Sequence, residues 1–138
     1  MESSPIMVKS IQETKNLIKI FDELNSEYFD GLVYAGIGWR RSKLGKTKVT
    51  LGSYSIEERF IRINAILQEP EIPTWFLIGI VHHEMIHAFQ ESALHNERFQ
   101  DLERQYPLYE WIQDFQLTKL PRILAGHRKK KPMSENSA

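Results

Sequence analysis

His83, Glu84 and His87 stand in the order His-Glu-Met-Ile-His, the spacing at which a helix turns two imidazoles toward one point. Four residues of α-helix turn about 400° and rise about 6 Å, so the rings of His83 and His87 leave one face a single turn apart. Two convergent nitrogen ligands result. Glu84 lies about 100° round from His83, poorly aimed as a ligand but well placed to hydrogen-bond a water on a metal held by the histidines. Zinc in such a site lowers the pKa of its water from about 15.7 to about 7, and a neighbouring carboxylate takes the proton as that water attacks a carbonyl. The motif therefore points to a zinc hydrolase with His83 and His87 as ligands and Glu84 as general base.

Catalytic zinc keeps three protein ligands and one open position, so a third ligand is required. His95 is the expected one, because it lies in the break over 93–96, eight residues past His87, where the chain can fold back toward the metal. Glu91, on the metal face one turn beyond His87, and Glu97, beside His95, are the alternatives. His82 points about 100° away from His83 and reads as a group behind the ligands or in the core.

These residues need a frame. Ile11, Leu17, Ile18, Phe21, Leu24 and Tyr28 recur at three and four, which predicts an amphipathic helix over 8–29. Alternating β-formers over 33–39, 48–54 and 60–67 predict three short strands. In the third, Arg62 and Asn64 share one face, which is expected to wall the substrate cleft as an edge strand pairing with an extended peptide. Thr74 is the expected N-cap of a helix running to about residue 92, apolar nearly all round and therefore buried. Two more helices are predicted after residue 96, and Trp39, Trp75 and Trp111 read as core or interface aromatics. The fold class is α+β: an N-terminal helix, a small, mainly antiparallel three-stranded sheet, the metal helix and C-terminal helices.

A chain of 138 residues, 41% hydrophobic and 26% charged, fits one self-sufficient domain, expected over 1–125. With no cysteine, disulfides, a catalytic thiol and a Cys-ligated zinc ribbon are excluded. The longest apolar run, 75–81, is far short of the ~20 residues of a membrane span, and the start carries no signal-like region, so a cytoplasmic, membrane-free protein is expected. The formal net charge of zero hides an asymmetry: residues 1–118 hold 12 Lys or Arg against 17 Asp or Glu, and 119–138 hold six against one. Residues 126–138 read as a basic, disordered tail. The tail residues 128–131 and the basic stretch 40–48 (Arg40, Arg41, Lys43, Lys46, Lys48) are candidates for non-specific contact with nucleic acid.

Several separate stretches resemble one family. Leu24-Asn25 with Tyr28-Phe29, Gly38-Trp39, Ile61-Arg62-Ile63, His83 to Ala88, and His95 followed four residues later by Phe99 are together similar to a SprT-like metallopeptidase domain, and the segment 99–109 resembles the YgjP-like hydrolases of the same zincin group. The resemblance implies a zincin-like fold, a zinc ion held by His83, His87 and His95, Glu84 as catalytic base, and a peptide or protein substrate, unfolded or associated with DNA. Two other functions fit the motif: a zinc-dependent ribonuclease using three histidines, and a non-catalytic module whose metal is closed off by a fourth ligand such as Glu91 or Glu97.

Overall fold

The computed structural model describes residues 15–41 and 49–137, with side chains to Arg128. Helix α1 (Leu17–Tyr28) begins where the Asn16 side chain accepts from the Lys19 N–H, and it buries Leu17, Ile20, Phe21 and Leu24. The helix expected over 8–29 thus begins only at Leu17, since residues 15 and 16 are not helical; positions 8–14 of that expectation lie outside the described residues. Just ahead of it, Lys15 donates from Nζ to the carbonyls of Leu67, Glu69 and Ile72 at 2.8, 2.8 and 2.7 Å, tying the start of α1 to the segment before the central helix. At its other end Asn25 clamps Val33 through two hydrogen bonds of 3.0 Å and so sets where the chain turns toward the sheet.

The sheet holds β1 (Gly36–Arg40), β2 (Gly52–Ser55) and β3 (Phe60–Asn64) in the order β1-β3-β2. β2 and β3 form an antiparallel hairpin, and β1 pairs with the opposite edge of β3 in parallel. The sheet is therefore mixed rather than mainly antiparallel, because the hairpin takes one edge of β3 and leaves β1 only the other. β3 stops at Asn64, whose side chain accepts from the Ile66 N–H and opens a 3-10 turn over Ala65–Gln68.

This order corrects the expectation for Arg62 and Asn64. β3 is the central strand, so both its edges are already paired and it offers no backbone to a peptide. Asn64 is buried, with its amide donating to the Thr50 carbonyl, and Arg62 pairs with Glu58 at 2.8 Å. The free edge beside the central helix belongs to β2.

Helix α2 (Thr74–Gln90) runs through the middle of the molecule with 13 of its 17 residues buried. Its cap is Pro73, in extended conformation, rather than Thr74, which is itself the first helical residue. The Pro73 carbonyl accepts from the N–H groups of Phe76 and Leu77. Helices α3 (Glu97–Arg104) and α4 (Tyr109–Thr118) both pack on α2. Phe115 of α4 meets Phe76 at 4.7 Å and Trp75 at 5.6 Å between ring centres. Trp39 and Trp75 are partly buried against the core, whereas Trp111 is 61% exposed and leans edge-on to Trp75.

Helix α5 (Leu120–Ser137) continues through most of the segment expected to be a disordered tail. Leu120 and Leu124 anchor its first turns in the core, and the Arg and Lys residues that follow have good helix propensity. Among the described residues no helix is long and apolar enough to cross a membrane.

Candidate metal centre

An interior helix carrying three histidines and a glutamate must satisfy each of them. His82 is accounted for by packing: it is buried, stacked on Tyr106 at 5.6 Å, edge-on to Tyr28 at 5.2 Å and beside Phe29. Burial pushes its pKa down to about 3, so it is a neutral core group.

His83 and His87 leave the helix on a different face from His82 and its aromatic neighbours, their ring centres 5.2 Å apart. At the end of α2, Glu91 adopts the left-handed conformation (φ 54°), and the His87 carbonyl accepts from the N–H groups of both Glu91 and Ser92. This cap reverses the chain at once. The Asn96 side chain then accepts from the Phe99 N–H to start α3, so the six residues between the helices, 91–96, fold straight back. His95 is carried onto the histidine pair, with its Nε2 3.1 Å from His87 Nε2 and its ring centre 5.2 Å from that of His83. One nitrogen from each of the three rings lies within 4.8 Å of the others. Glu91 is spent on the cap and exposed, and Glu97 is exposed in the first turn of α3. Neither belongs to the cluster.

The other faces of the rings are held. His83 Nδ1 donates to Glu103 Oε2 at 2.7 Å, and His87 Nδ1 donates to the Ser92 carbonyl at 2.8 Å. These acceptors fix the proton on Nδ1 in each ring and leave Nε2 with its lone pair. Burial lowers the His87 pKa, which keeps that ring neutral. Phe99, almost fully buried, backs all three rings at 4.6 to 4.8 Å. Sequence reasoning did not find Glu103. Its signal is spacing alone, four residues past Phe99 and hence on the same face of α3.

These residues fit a zinc ion. Zinc–nitrogen bonds of about 2.0–2.1 Å at a tetrahedral angle separate two ligand nitrogens by about 3.3 Å, close to the 3.1 Å between His87 and His95. Two imidazole nitrogens facing one another at that distance need either a shared proton or a cation between them. The donor set is three imidazole nitrogens without a fourth protein ligand among the described residues, which is the arrangement of an open site.

Glu84 faces a cavity of about 270 Å³ enclosed by the three histidines, Ser92, and Gly52, Ser53 and Tyr54 of β2. Its side chain lies flat on the edge strand. A Cβ at position 52 would sit 3.1 Å from Glu84 Cγ and 3.2 Å from its Oε2, so the glycine lets the carboxylate lie against the strand. Burial raises the Glu84 pKa to about 7, partly offset by His83. A carboxyl poised there can accept or return a proton near neutral pH.

Of the basic residues singled out in the sequence, Arg40 and Arg41 are exposed at the end of β1, and Lys43, Lys46 and Lys48 lie outside the described residues.

The model of the SprT-like family matches residues 17–116. The fold is similar to that of the metallopeptidase zymogen jannalysin of Methanocaldococcus jannaschii, with a TM-score of 0.62 and 22% identity over 78% of this chain and 92% of that one. It is likewise similar to the metallopeptidase zymogen abylysin of Pyrococcus abyssi, with a TM-score of 0.59 and 17% identity over 77% of this chain and 96% of that one. No curated protein matches the chain significantly.

Proposed function

The chain belongs to the SprT-like family, and from that premise we propose that it is a zinc-dependent metallopeptidase in which His83, His87 and His95 hold the metal and Glu84 is the general base. The observation that carries this reading is the convergence of three imidazole nitrogens beside a buried carboxylate at the floor of an open cavity. The similar solved folds, both of metallopeptidases, support it.

Bound zinc supplies Lewis acidity, both to a water and to the carbonyl oxygen of the scissile bond. The residues of the chain do the rest. Glu84, buried beside the cavity, would take the proton of the attacking water and return it to the leaving amine nitrogen. His83 and His87 are kept in the ligand tautomer by Glu103 and the Ser92 carbonyl. β2, one of the two edge strands among the described residues, lies along the cavity, where an extended peptide could add as a further strand with its carbonyl toward the three histidines. A substrate read this way must be extended, which favours unfolded protein segments. For protein held on nucleic acid, Arg40, Arg41 and the basic residues 128–131 supply the attracting charge.

The test is turnover of a disordered protein by the zinc-loaded chain and its Glu84→Gln variant. The variant is expected to keep one zinc per chain by elemental analysis while turnover falls by about 10²–10⁴-fold. Undiminished turnover in the variant overturns the assignment of the base, and RNA cleavage without protein cleavage overturns the reaction class.

A further inference from the structure

A second cavity, of about 490 Å³, opens on the other side of the histidine cluster. His83 and His95 wall both cavities, so the two are halves of one cleft with the metal position between them. The half along β2 is backbone and small side chains. The other half has a different chemistry.

Its walls are Gln100 and Glu103 of α3 and Tyr109, Gln113 and Gln116 of α4, with Phe99 at the base beneath the imidazoles and the exposed Leu117 at the outer rim. Helical geometry explains the grouping. Tyr109, Gln113 and Gln116 stand at i, i+4 and i+7 and form one stripe, while Ile112 and Phe115 of the same helix are buried toward α2. α3 and α4 each pack on α2, and the groove lies between them. A polar stripe on a surface helix is ordinary; here it ends against the ligands of a metal centre.

On the reading given under Proposed function, we infer that this groove is the subsite for a substrate side chain next to the scissile bond, and that it selects an uncharged hydrogen-bonding side chain, glutamine or asparagine above all. The choice follows by charge. The only formal charge on the α3 and α4 walls is Glu103, already engaged with His83, and it repels an acidic side chain. A cation held by His83 and His95 at the groove's mouth would repel a basic one, and with Glu103 and Glu84 opposing its charge it would leave little net charge to draw an acidic one. Gln113 and Gln116 are exposed, so an apolar side chain displaces their water without replacing its hydrogen bonds, whereas an amide side chain meets both their donors and their acceptors. Gln100 is partly occupied, donating to the His95 carbonyl at 3.3 Å, which leaves Gln113 and Gln116 as the selecting pair.

The test separates selection from turnover. Fluorescent peptides identical but for one position, carrying Gln, Asn, Leu, Asp or Lys at each site in turn, are titrated onto the full-length zinc-loaded Glu84→Gln chain. At one position Gln and Asn are expected to bind about tenfold more tightly than Asp, Lys or Leu, the worth of two net amide hydrogen bonds. The preference is expected to vanish in Gln113→Leu/Gln116→Leu. Gln113→Glu, which keeps the shape and adds a charge, is expected to raise Lys relative to Gln. Equal binding of all peptides, or a preference that survives the double variant, overturns the subsite even where the wild-type chain cleaves protein. A preference that appears and responds to both variants supports it even where the wild-type chain cleaves nothing, which would overturn the peptidase reading instead.

Discussion

The contact that decides most at the scale of single residues is the 2.7 Å bond from His83 to Glu103, because it aims a ligand from outside the ligand set. Glu103 is a positioning residue, touching the ring and not the cavity on the β2 side. Glu103→Ala is expected to weaken zinc binding by about 10–100-fold in a competition titration with a chelator, without loss of helical signal. Affinity equal to that of the unmodified chain would show that Phe99 and the helix alone hold the ring. Gly52 makes the complementary case on the other wall of the cavity. Gly52→Ala puts a methyl group 3.1–3.2 Å from the Glu84 side chain, so the carboxylate must move by a few tenths of an ångström. kcat is expected to drop about tenfold with zinc content unchanged, since small displacements of a catalytic group are costly. The motif and its downstream histidine could be read in the sequence because helical spacing and a short return loop bring them together locally. Glu103 and Gly52 could not, since each meets its partner only through tertiary packing.

Among the elements, α2 was the most legible: it is apolar on nearly every side, and a helix of that kind has to be interior. The strands were legible as strands, but not their order. Which strand forms the edge depends on pairings between distant residues, and the polar face of Arg62 and Asn64 read as a cleft wall because the partners of Asn64, the Thr50 carbonyl and the Ile66 N–H, are bonds that no periodicity announces. The cleft wall thus moved from the third strand to the second. Lys15 is another long-range tie, holding three carbonyls of the segment that leads into α2. Lys15→Met keeps its apolar stem and removes all three donors. It is expected to lower unfolding free energy by about 1–3 kcal/mol in a denaturant titration, the cost of leaving partly buried acceptors unpaired. A change below about 0.5 kcal/mol would mean that water replaces the ammonium at no loss.

Across the whole molecule, the cleft has one wall of sheet edge and one of helix, with the histidines where the two meet. That arrangement follows from a single helix, α2, which packs β2 on one flank and both α3 and α4 on another. The α+β class was open to sequence reasoning, whereas the continuation of α5 through the basic segment was not, because composition argued for a solvated tail and the anchoring by Leu120 and Leu124 is tertiary. If the basic segments draw the protein to nucleic acid, binding to duplex DNA should fall steeply and log-linearly with salt, and deletion of residues 128–138 should flatten that slope. No binding at low salt would remove nucleic acid from the account.

The central claim is that three imidazoles, two from one helical turn and one from the loop that follows, hold a single metal ion and leave it a free position. X-ray absorption at the zinc edge of the loaded chain reads this directly, with His95→Ala measured beside it. Three imidazole nitrogens and one further light atom at about 2.0–2.1 Å, with one imidazole missing in the variant, is the predicted result. Two imidazoles in the unmodified chain, or a spectrum that His95→Ala leaves unchanged, would contradict it.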